Sequence, residues 1–412
     1  MQAYHDSRNE ECRYPLGAVH ASENVRLRFF TGEKAARVFI RIWNGSQHTY
    51  EMENIGNGGF EKMLKMPDEP CLFWYDFIIE ANGQTFFYGN SFDRLGGEGS
   101  LYEAQPPSFQ ITCYDKSMDK QEALLGKVMY QIFPDRFNRL EKPKSDRKDV
   151  FLHENWDELP LVKQDPRSGD NMALDFFGGS LKGIEKKLGY LKRLGIDIIY
   201  LNPIFKAWGN HRYDTGNYME IDPLLGNEED FKSLCRAAEK LGIKLMLDGV
   251  FSHTGEDSLY FNRYKNYKSE GAYQSKFSKY FKWYNFRDFP NSYACWWNIP
   301  TLPEINKNDP SYREYIMGKA GVARHWIGCG AMGWRLDVAD ELPMEFLREL
   351  RKSVKRQDKN AVLLGEVWED ASNKVSYGEQ RSYCLGDSVD SVMNYPLRDA
   401  LTAFFLGRIN AY

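Results

Sequence analysis

The stretch "GWRLDVAD", residues 333 to 340, places an arginine and an aspartate two positions apart in an apolar run. Successive side chains of a strand point to opposite faces, so Arg335 and Asp337 would share one face while their apolar neighbours occupy the other. A buried charge is costly unless it is paired or used. We therefore predict a polar site, in which Arg335 keeps the pKa of Asp337 low and its carboxylate ionised for nucleophilic attack.

Polar residues also end three other apolar runs in this half of the sequence. Asn202 follows "IDIIYL", Asp248 follows "KLML" and Glu366 follows "AVLLG". In folds built on parallel strands, ligands bind at the carboxyl edge of the sheet. Each residue alone could instead cap a helix or form a buried salt bridge, but the repetition at four strand ends favours a binding site.

Asp337 and Glu366 end consecutive strand-like runs. Adjacent parallel strands lie about 4.8 Å apart, so the two carboxyl groups would be about 5 Å apart, as in retaining glycosidases. In that chemistry Asp337 attacks the sugar. Glu366, beside the apolar Val367 and Trp368, has the drier setting that suits a general acid and base.

From about residue 121 onward, strand-like and helix-like runs alternate. The strand-like runs are "KVMYQIF", "IDIIYLNP", "KLMLDGVF", "MGWRLDV", "AVLLGEV" and "DSVMNYP". One helical pattern between them runs from Ser180, a good N-cap, to Gly195, a typical C-terminal glycine. This alternation predicts a parallel sheet covered by helices. The aromatic stretch at about 254–310 interrupts it and predicts a subdomain inserted after the third strand.

Residues 1–120 have a different pattern, with short alternating runs separated by turn residues. Val38, Ile40 and Ile42 would share one face of a strand, and Asn82-Gly83 between two aromatic runs is a strong hairpin signal. Several strands at this spacing predict an N-terminal β-sandwich, so we place a domain boundary near residue 120 and assign 121–412 to the second domain.

Composition narrows the class of protein. A net charge of −4 and a pI near 6.1 give no indication of nucleic-acid or acidic-membrane partners. No apolar run approaches the roughly 20 residues of a membrane span, and the N-terminus lacks the apolar stretch of a signal peptide. The seven cysteines are scattered without a C-x-x-C pair. We therefore expect reduced thiols and a cytoplasmic location, with neither disulfides nor zinc.

Several short motifs carry a family resemblance. "DGVFSH" (248–253), "LPEIN" (302–306), "GWRLDVADE" (333–341) and "GEVW" (365–368) occur in this order. They resemble motifs of the α-amylase family of glycoside hydrolases (family 13), and most closely those of its neopullulanase, cyclomaltodextrinase and amylopullulanase members. The resemblance implies a (β/α)8 TIM barrel with an inserted subdomain after the third strand, preceded by a β-sandwich that is carbohydrate-binding-like.

The resemblance also assigns roles to individual residues. It implies that Asp337 is the nucleophile and Glu366 the acid/base, and that the substrate is bound by His211, Tyr213, Asp248, His253, Arg335, Glu341 and Trp368. Tyr213 would stack on the attacked glucose, both histidines would bond its hydroxyls, and Glu341 and Trp368 would shape the leaving-group side. Without the motifs, a single histidine is more often structural and Trp368 could be simple packing.

The sequence departs from the family pattern in two places. Ser252 stands where the first motif usually has an asparagine that ligates calcium. We therefore expect no metal site and no required cofactor, and calcium at the inserted subdomain stays open but disfavoured. The fourth motif, an Asn-His-Asp triplet, is not found. We therefore expect about six of the eight barrel units here, with the third carboxylate beyond Tyr412 in a longer protein.

The main functional hypothesis is retaining hydrolysis of α-1,4 and also α-1,6 bonds in maltodextrin, pullulan or cyclodextrin. One alternative is a non-catalytic glucan- or partner-binding protein on an amylase scaffold. Another is a transglycosylase or sugar isomerase of the same fold. The resemblance further implies a homodimer formed through the N-terminal domain.

Overall fold

The computed structural model describes residues 2–32, 37–116, 118, 122–167, 169 and 171–410. The chain forms two compact units. The first comprises Met1–Lys120 with Ala371–Lys374 and Gln380–Asp387, and the second comprises Gln121–Asp370, Val375–Glu379 and Ser388–Tyr412. In the part of the chain that the structure describes, no helix has the length and apolar character needed to cross a membrane.

The first unit is built from two sheets whose strands pair antiparallel, except for the parallel pair β12–β3. Its strands are β1 (Ala3–Tyr4), β2 (Arg13–Tyr14), β3 (Val19–His20), β4 (Asn24–Thr31), β5 (Arg37–Trp43), β6 (Gln47–Glu51), β7 (Glu53–Gly56), β8 (Gly59–Lys65), β9 (Cys71–Ala81), β10 (Gln84–Gly89), β11 (Ser100–Tyr102) and β12 (Phe109–Tyr114). β1, β4, β8 and β7 form one sheet with β2 paired to β4. β11, β10, β9, β12 and β3 form the other, with β5 and β6 extending it from β9.

The predicted strand faces of this unit are confirmed. Val38, Ile40 and Ile42 are buried in one hydrophobic core together with residues of both sheets. Asn82 and Gly83 join β9 to β10 and both have positive φ, 54° and 73°. This is the backbone that a two-residue hairpin turn requires. Two sheets enclosing a common core make this unit a β-sandwich.

The rest of the chain mixes helices and strands. The strands are β13 (Met129–Ile132), β14 (Phe151–Leu152), β15 (Asp175–Phe176), β16 (Ile198–Leu201), β17 (Phe205–Ala207), β18 (Thr215–Ile221), β19 (Lys244–Gly249), β20 (Phe286–Asp288), β21 (Ser292–Tyr293), β22 (Gly333–Leu336), β23 (Val362–Gly365), β24 (Val375–Ser376), β25 (Glu379–Gln380) and β26 (Ser391–Val392). The α-helices are α1 (Leu181–Arg193), α2 (Glu228–Lys240), α3 (Pro310–Met317), α4 (Val322–Gly328), α5 (Met344–Gln357) and α6 (Tyr395–Phe405).

A six-stranded parallel sheet organises the second unit, in the order β13, β16, β19, β22, β23, β26. Each strand pairs with the next of the set along the chain, which is the curled arrangement of a (β/α)8 barrel. The predicted fold class is confirmed for these strands. All carboxyl ends lie at the same edge, and the register aligns Asp248 with Arg335 and Leu336 with Gly365.

Helix α1 shows how the sequence positions the layer outside the sheet. The Ser180 hydroxyl accepts a hydrogen bond from the Gly183 backbone N–H, as expected of an N-cap. The apolar residues of helix α1 that recur at helical spacing are buried, namely Leu181, Ile184, Leu188 and Leu191. The short helices α3 and α4 were not anticipated, because the aromatic stretch before them obscures the helical period.

Between β19 and α3 the chain leaves the sheet and forms the strand pair β20–β21 with two short 3₁₀ helices, Phe281–Trp283 and Trp296–Asn298. An isolated bridge between His253 and Glu304 joins the two ends of this stretch, and a second bridge joins Tyr284 in its middle to Ile305. The chain therefore returns to its point of departure, which places "LPEIN" beside "DGVFSH".

Candidate active site

Arg335 is the centre of a buried cluster of charges at the carboxyl edge of the sheet. Its Nη1 donates to both carboxylate oxygens of Asp248, at 3.1 and 3.0 Å, and to Oδ1 of Asp337 at 2.8 Å. Its Nη2 lies 2.6 Å from Oε2 of Glu366. One guanidinium therefore holds three carboxylates at the carboxyl ends of three adjacent strands.

The chain turns sharply just after β22. The strand ends at Leu336, two residues before the end of the predicted run "MGWRLDV", and Val338 adopts a left-handed conformation with φ 42°. This backbone is unfavourable for a β-branched residue, by about 1–3 kcal/mol. The turn directs the backbone N–H of Val338 to Oε2 of Glu366, at 2.9 Å. The strained residue therefore fixes Glu366 beside Asp337.

Glu366 has a second partner on its other oxygen. The Tyr395 hydroxyl, at the start of α6, donates to Oε1 of Glu366 at 3.0 Å. Arg335, Val338 and Tyr395 thus fix the orientation of this carboxyl group, although 8% of the residue remains exposed. The group is accessible and oriented, as a proton donor must be.

The charge balance of the cluster affects Asp337 strongly. Burial raises the pKa of Asp337 to about 8, the negative charges of Asp248 and Glu366 act in the same direction, and Arg335 opposes them. Burial also raises the pKa of Asp248. The prediction that Arg335 keeps the pKa of Asp337 low is wrong, because a single guanidinium does not balance burial and two further carboxylates. Burial therefore favours the protonated forms of Asp337 and Asp248.

Tyr213 is tied to this cluster through Asp248. Its hydroxyl donates to Oδ2 of Asp248 at 3.1 Å and accepts from Nδ2 of Asn202 at 3.2 Å. The Tyr200 hydroxyl also donates to Oδ2 of Asp248. Burial, and next the charge of Asp248, raise the pKa of Tyr213. Asp248 therefore positions Arg335 and Tyr213 at the same time and accepts bonds through both its oxygens.

The two predicted histidines, His211 and His253, lie on the same side of the charge cluster as Tyr213. The imidazole of His211 stacks near the Tyr213 ring, with 6.0 Å between centroids and 24° between planes. Burial, and next the charge of Lys307, lower the pKa of His253 to about 3, and His211 acts in the same direction. His253 is therefore a neutral ring at physiological pH.

His253 has one nitrogen available for a ligand. Nδ1 lies 2.9 Å from the Ser252 hydroxyl, whereas Nε2 is buried without a hydrogen-bond partner among the described residues. When Nδ1 accepts the Ser252 proton, Nε2 carries the N–H. Since buried polar atoms are normally satisfied, this donor requires a partner such as a substrate hydroxyl.

Glu341 and Trp368 belong to a second cluster of contacting side chains, which also contains two tryptophans. The indole N–H groups of Trp296 and Trp297 donate to Oε1 of Glu341 at 3.1 and 3.2 Å. Trp297 meets Trp368 edge to face at 5.7 Å, and Trp296 lies 5.3 Å from the His253 ring. Burial raises the pKa of Glu341. Exposed aromatic faces with a carboxylate beside them suit a sugar with a flat face and hydroxyl edges.

Ser252 does not fit a calcium ligand. Its side chain is fully buried and its hydroxyl is bonded to His253, whereas calcium prefers carboxylate and carbonyl oxygens. We therefore derive no step through calcium.

The sequence predictions missed four residues that contact the predicted site. Tyr200 and Tyr395 bond Asp248 and Glu366, and Trp296 and Trp297 bond Glu341. Tyr200 lies inside an apolar strand run in which every residue is buried, so no local pattern could have indicated it. Tyr395 lies three residues after the last strand, β26, so the strand-end argument used for Asp248 and Glu366 could have found it.

Comparison with known proteins gives the family. The alpha-amylase catalytic domain model matches residues 131–410. The chain is 37% identical over 98% of its length to an amylopullulanase of Thermoanaerobacter thermohydrosulfuricus and 36% identical over 69% of its length to neopullulanase 2 of Thermoactinomyces vulgaris. It spans 30% and 44% of the lengths of these two relatives.

A solved structure agrees with both the fold and the family. The type III pullulan hydrolase from Thermococcus kodakarensis superposes with a TM-score of 0.61 at 27% identity, over 99% of this chain and 67% of that chain. The family model covers every predicted site residue and all but the first two residues of the six-stranded sheet. The chain belongs to the alpha-amylase catalytic domain family.

Proposed function

We propose that the protein hydrolyses α-glucosidic bonds with retention of configuration, with Asp337 as nucleophile and Glu366 as acid and base. The observation that carries the proposal is the shared guanidinium: Arg335 binds both carboxylates at the ends of the paired strands β22 and β23. Retaining hydrolysis needs two acids at short distance, one ionised and one protonated. Asp337 reaches the ionised form as the pH rises towards about 8, and its bond to Arg335 favours that form.

The reaction proceeds in two displacements. Glu366 donates its proton to the glycosidic oxygen while a carboxylate oxygen of Asp337 bonds to the anomeric carbon, and the leaving sugar departs with the proton. Glu366 then takes a proton from a water molecule, which attacks the same carbon and releases Asp337. Positive charge develops on the sugar in both transition states, and the ionised carboxylates around Arg335 stabilise it.

The remaining predicted residues would bind the sugar. Tyr213 would stack on the attacked glucose, and the His253 Nε2–H would donate to one of its hydroxyls, since that atom has no partner among the described residues. His211 would bond a second hydroxyl. Glu341 and Trp368 would contact the sugar on the leaving-group side. No cofactor is needed for these steps.

We propose α-1,4-linked glucans as the substrates, with cleavage of α-1,6 bonds as a second activity. The names of the relatives support this choice, because they include an amylopullulanase, a neopullulanase and a pullulan hydrolase. Maltodextrin offers linear α-1,4 chains, pullulan adds α-1,6 bonds within the chain, and cyclodextrin offers a cyclic form.

The test uses the full-length protein with pullulan, cyclodextrin and maltotriose. We expect reducing sugar from all three, and early proton NMR of the maltotriose reaction should show the α-anomer. A β-anomer as first product would exclude the two-step mechanism. Binding without turnover would favour the non-catalytic alternative, and a product longer than the substrate or an isomerised sugar would favour the transferase or isomerase.

We further propose a cytoplasmic location and a homodimer formed through the N-terminal sandwich. The seven cysteines, all of which lie in the described part of the chain, form no disulfide, as in a reducing compartment. On the adjacent strands β5 and β6, Trp43 and Tyr50 are exposed, and exposed aromatic side chains are common at protein interfaces. Cell fractionation and analytical ultracentrifugation test these two points. A monomer would contradict the homodimer.

A further inference from the structure

A group of metal-binding side chains lies on the helical layer, separate from the residues assigned to catalysis. Glu228 opens helix α2, His325 lies in helix α4 and Cys329 follows that helix directly. One ligand atom from each of the three lies within 4.8 Å of the other two. The sequence separates Glu228 from His325 by 97 residues, so no local motif reveals the group.

The distances resemble those within a zinc site. Nε2 of His325 lies 3.0 Å from Oε2 of Glu228 and 3.7 Å from Sγ of Cys329. Tetrahedral zinc, with bonds of about 2.0–2.3 Å, separates its ligand atoms by about 3.2–3.8 Å. Small side-chain rotations therefore suffice to bring all three atoms into a first coordination shell.

The chemistry of the group also selects the metal. One imidazole, one thiolate and one carboxylate oxygen match zinc, whereas calcium and magnesium require oxygen ligands alone. His325 and Cys329 are four residues apart, which places them on one face of a helical turn. The helix therefore presents two of the three ligands together in a fixed geometry.

Glu228 is held in place by a second contact. Nζ of Lys232 lies 2.7 Å from Oε1 of Glu228, so the lysine contacts the oxygen that does not face His325. Oε2 stays directed at the imidazole. A carboxylate that binds a metal through one oxygen is commonly held in this way through the other.

The group is open to ions from solvent. The side chains of Glu228 and His325 are 37% and 30% exposed, and a cavity of about 540 Å³ adjoins Cys329, with Lys232 and Cys235 also in its lining. The open side leaves room for a water molecule as fourth ligand.

We propose that Glu228, His325 and Cys329 bind one Zn²⁺ ion, which links the start of α2 to the end of α4. Cys329 binds as thiolate and its proton passes to solvent. The expectation of no zinc rested on the missing C-x-x-C pair, and that pattern detects only ligands close in sequence. The ion would stabilise the outer helical layer without taking part in sugar chemistry.

The test is metal binding to the full-length protein, freed of metal with a chelator and kept reduced with a phosphine. Zn²⁺ affinity is measured by competition with a chromophoric chelator, and Co²⁺ serves as a spectroscopic probe. We expect one equivalent per chain, a thiolate-to-cobalt charge-transfer band in the near ultraviolet, and a higher melting temperature with Zn²⁺.

Variants then locate the site. Cys329→Ser should abolish the charge-transfer band, and His325→Gln should weaken binding by at least about tenfold. Cys71→Ser and His48→Gln are matched controls in the sandwich unit and should bind as the parent does. Unchanged affinity in both site variants would overturn the proposal, as would a parent cobalt spectrum without a thiolate band. The parent spectrum decides the matter even if a variant does not fold.

Discussion

Nη2 of Arg335 lies 2.6 Å from Oε2 of Glu366, while Nη1 of the same side chain donates to Asp337 at 2.8 Å. Arg335 therefore does more than neutralise Asp337, its neighbour along the chain. It links the two acids assigned to the reaction, and through Asp248 it links both to Tyr213. A change in any one of these charges is expected to affect the others.

The first prediction concerns stability and pH. Folding raises the pKa of Asp337 to about 8, from about 3.9 in an unfolded chain. Its contribution to stability is therefore complete below about pH 4 and is lost as the pH rises towards 8. Asp337→Asn should remove this dependence, so the variant should melt higher than the parent at pH 8, by roughly 2–6 °C.

Thermal melting of both proteins at pH 4.5 and pH 8 checks this prediction. The advantage of the variant should shrink at the lower pH. A variant that melts below the parent at pH 8 would mean that the lost bond to Arg335 outweighs the relief of buried charge.

The second prediction concerns the pH dependence of activity. The mechanism needs Asp337 ionised, and burial raises the pKa of this carboxyl to about 8. kcat/KM should therefore rise as the pH increases towards about 8. Asp248→Asn removes a charge that raises the pKa of Asp337, so this rising limb should move to lower pH whatever its absolute rate.

Glu341→Gln is the control for this profile, because Glu341 bonds to Trp296 and Trp297 instead of Arg335. Its rising limb should stay where the parent's is. An unshifted limb in Asp248→Asn would show that another group sets the profile.

The third prediction separates the two acids by role. Glu366→Gln should lose most activity on maltodextrin, by about 10²–10⁴-fold, because the leaving sugar needs a proton. On α-glucosyl fluoride, whose leaving group needs none, the loss in the first step should be much smaller. Equal losses on both substrates would argue against Glu366 as the acid.

The fourth prediction tests sugar stacking by Tyr213. Tyr213→Ala should cut kcat/KM by about 10²-fold, because a displaced sugar is poorly placed for attack. Tyr213→Phe keeps the ring and loses only the bonds to Asp248 and Asn202, so its loss should be clearly smaller. If both variants lose activity equally, the hydroxyl is the important group and the stacking role is wrong.

The sequence predicted much of this arrangement, and the failures have physical causes. The end of a strand can be recognised from a short stretch of sequence. The change from apolar to polar residues therefore predicted that Asp248, Asp337 and Glu366 lie at one edge of the sheet. The protonation of Asp337 depends on burial and on charges from two other strands, which no two-residue pattern contains. The contact between Glu228 and His325 arises only when separate helices pack side by side.

The central claim is that Asp337 forms a covalent bond to the sugar, and trapping tests it most directly. A fluorinated α-glucosyl fluoride, which slows hydrolysis of the intermediate, is incubated with the full-length protein and the peptides are analysed by mass spectrometry. We expect one sugar adduct on the carboxylate of Asp337, with no adduct in Asp337→Asn. An adduct on another residue, or turnover of the reagent by Asp337→Asn at the parent rate, would contradict the assignment of Asp337 as nucleophile.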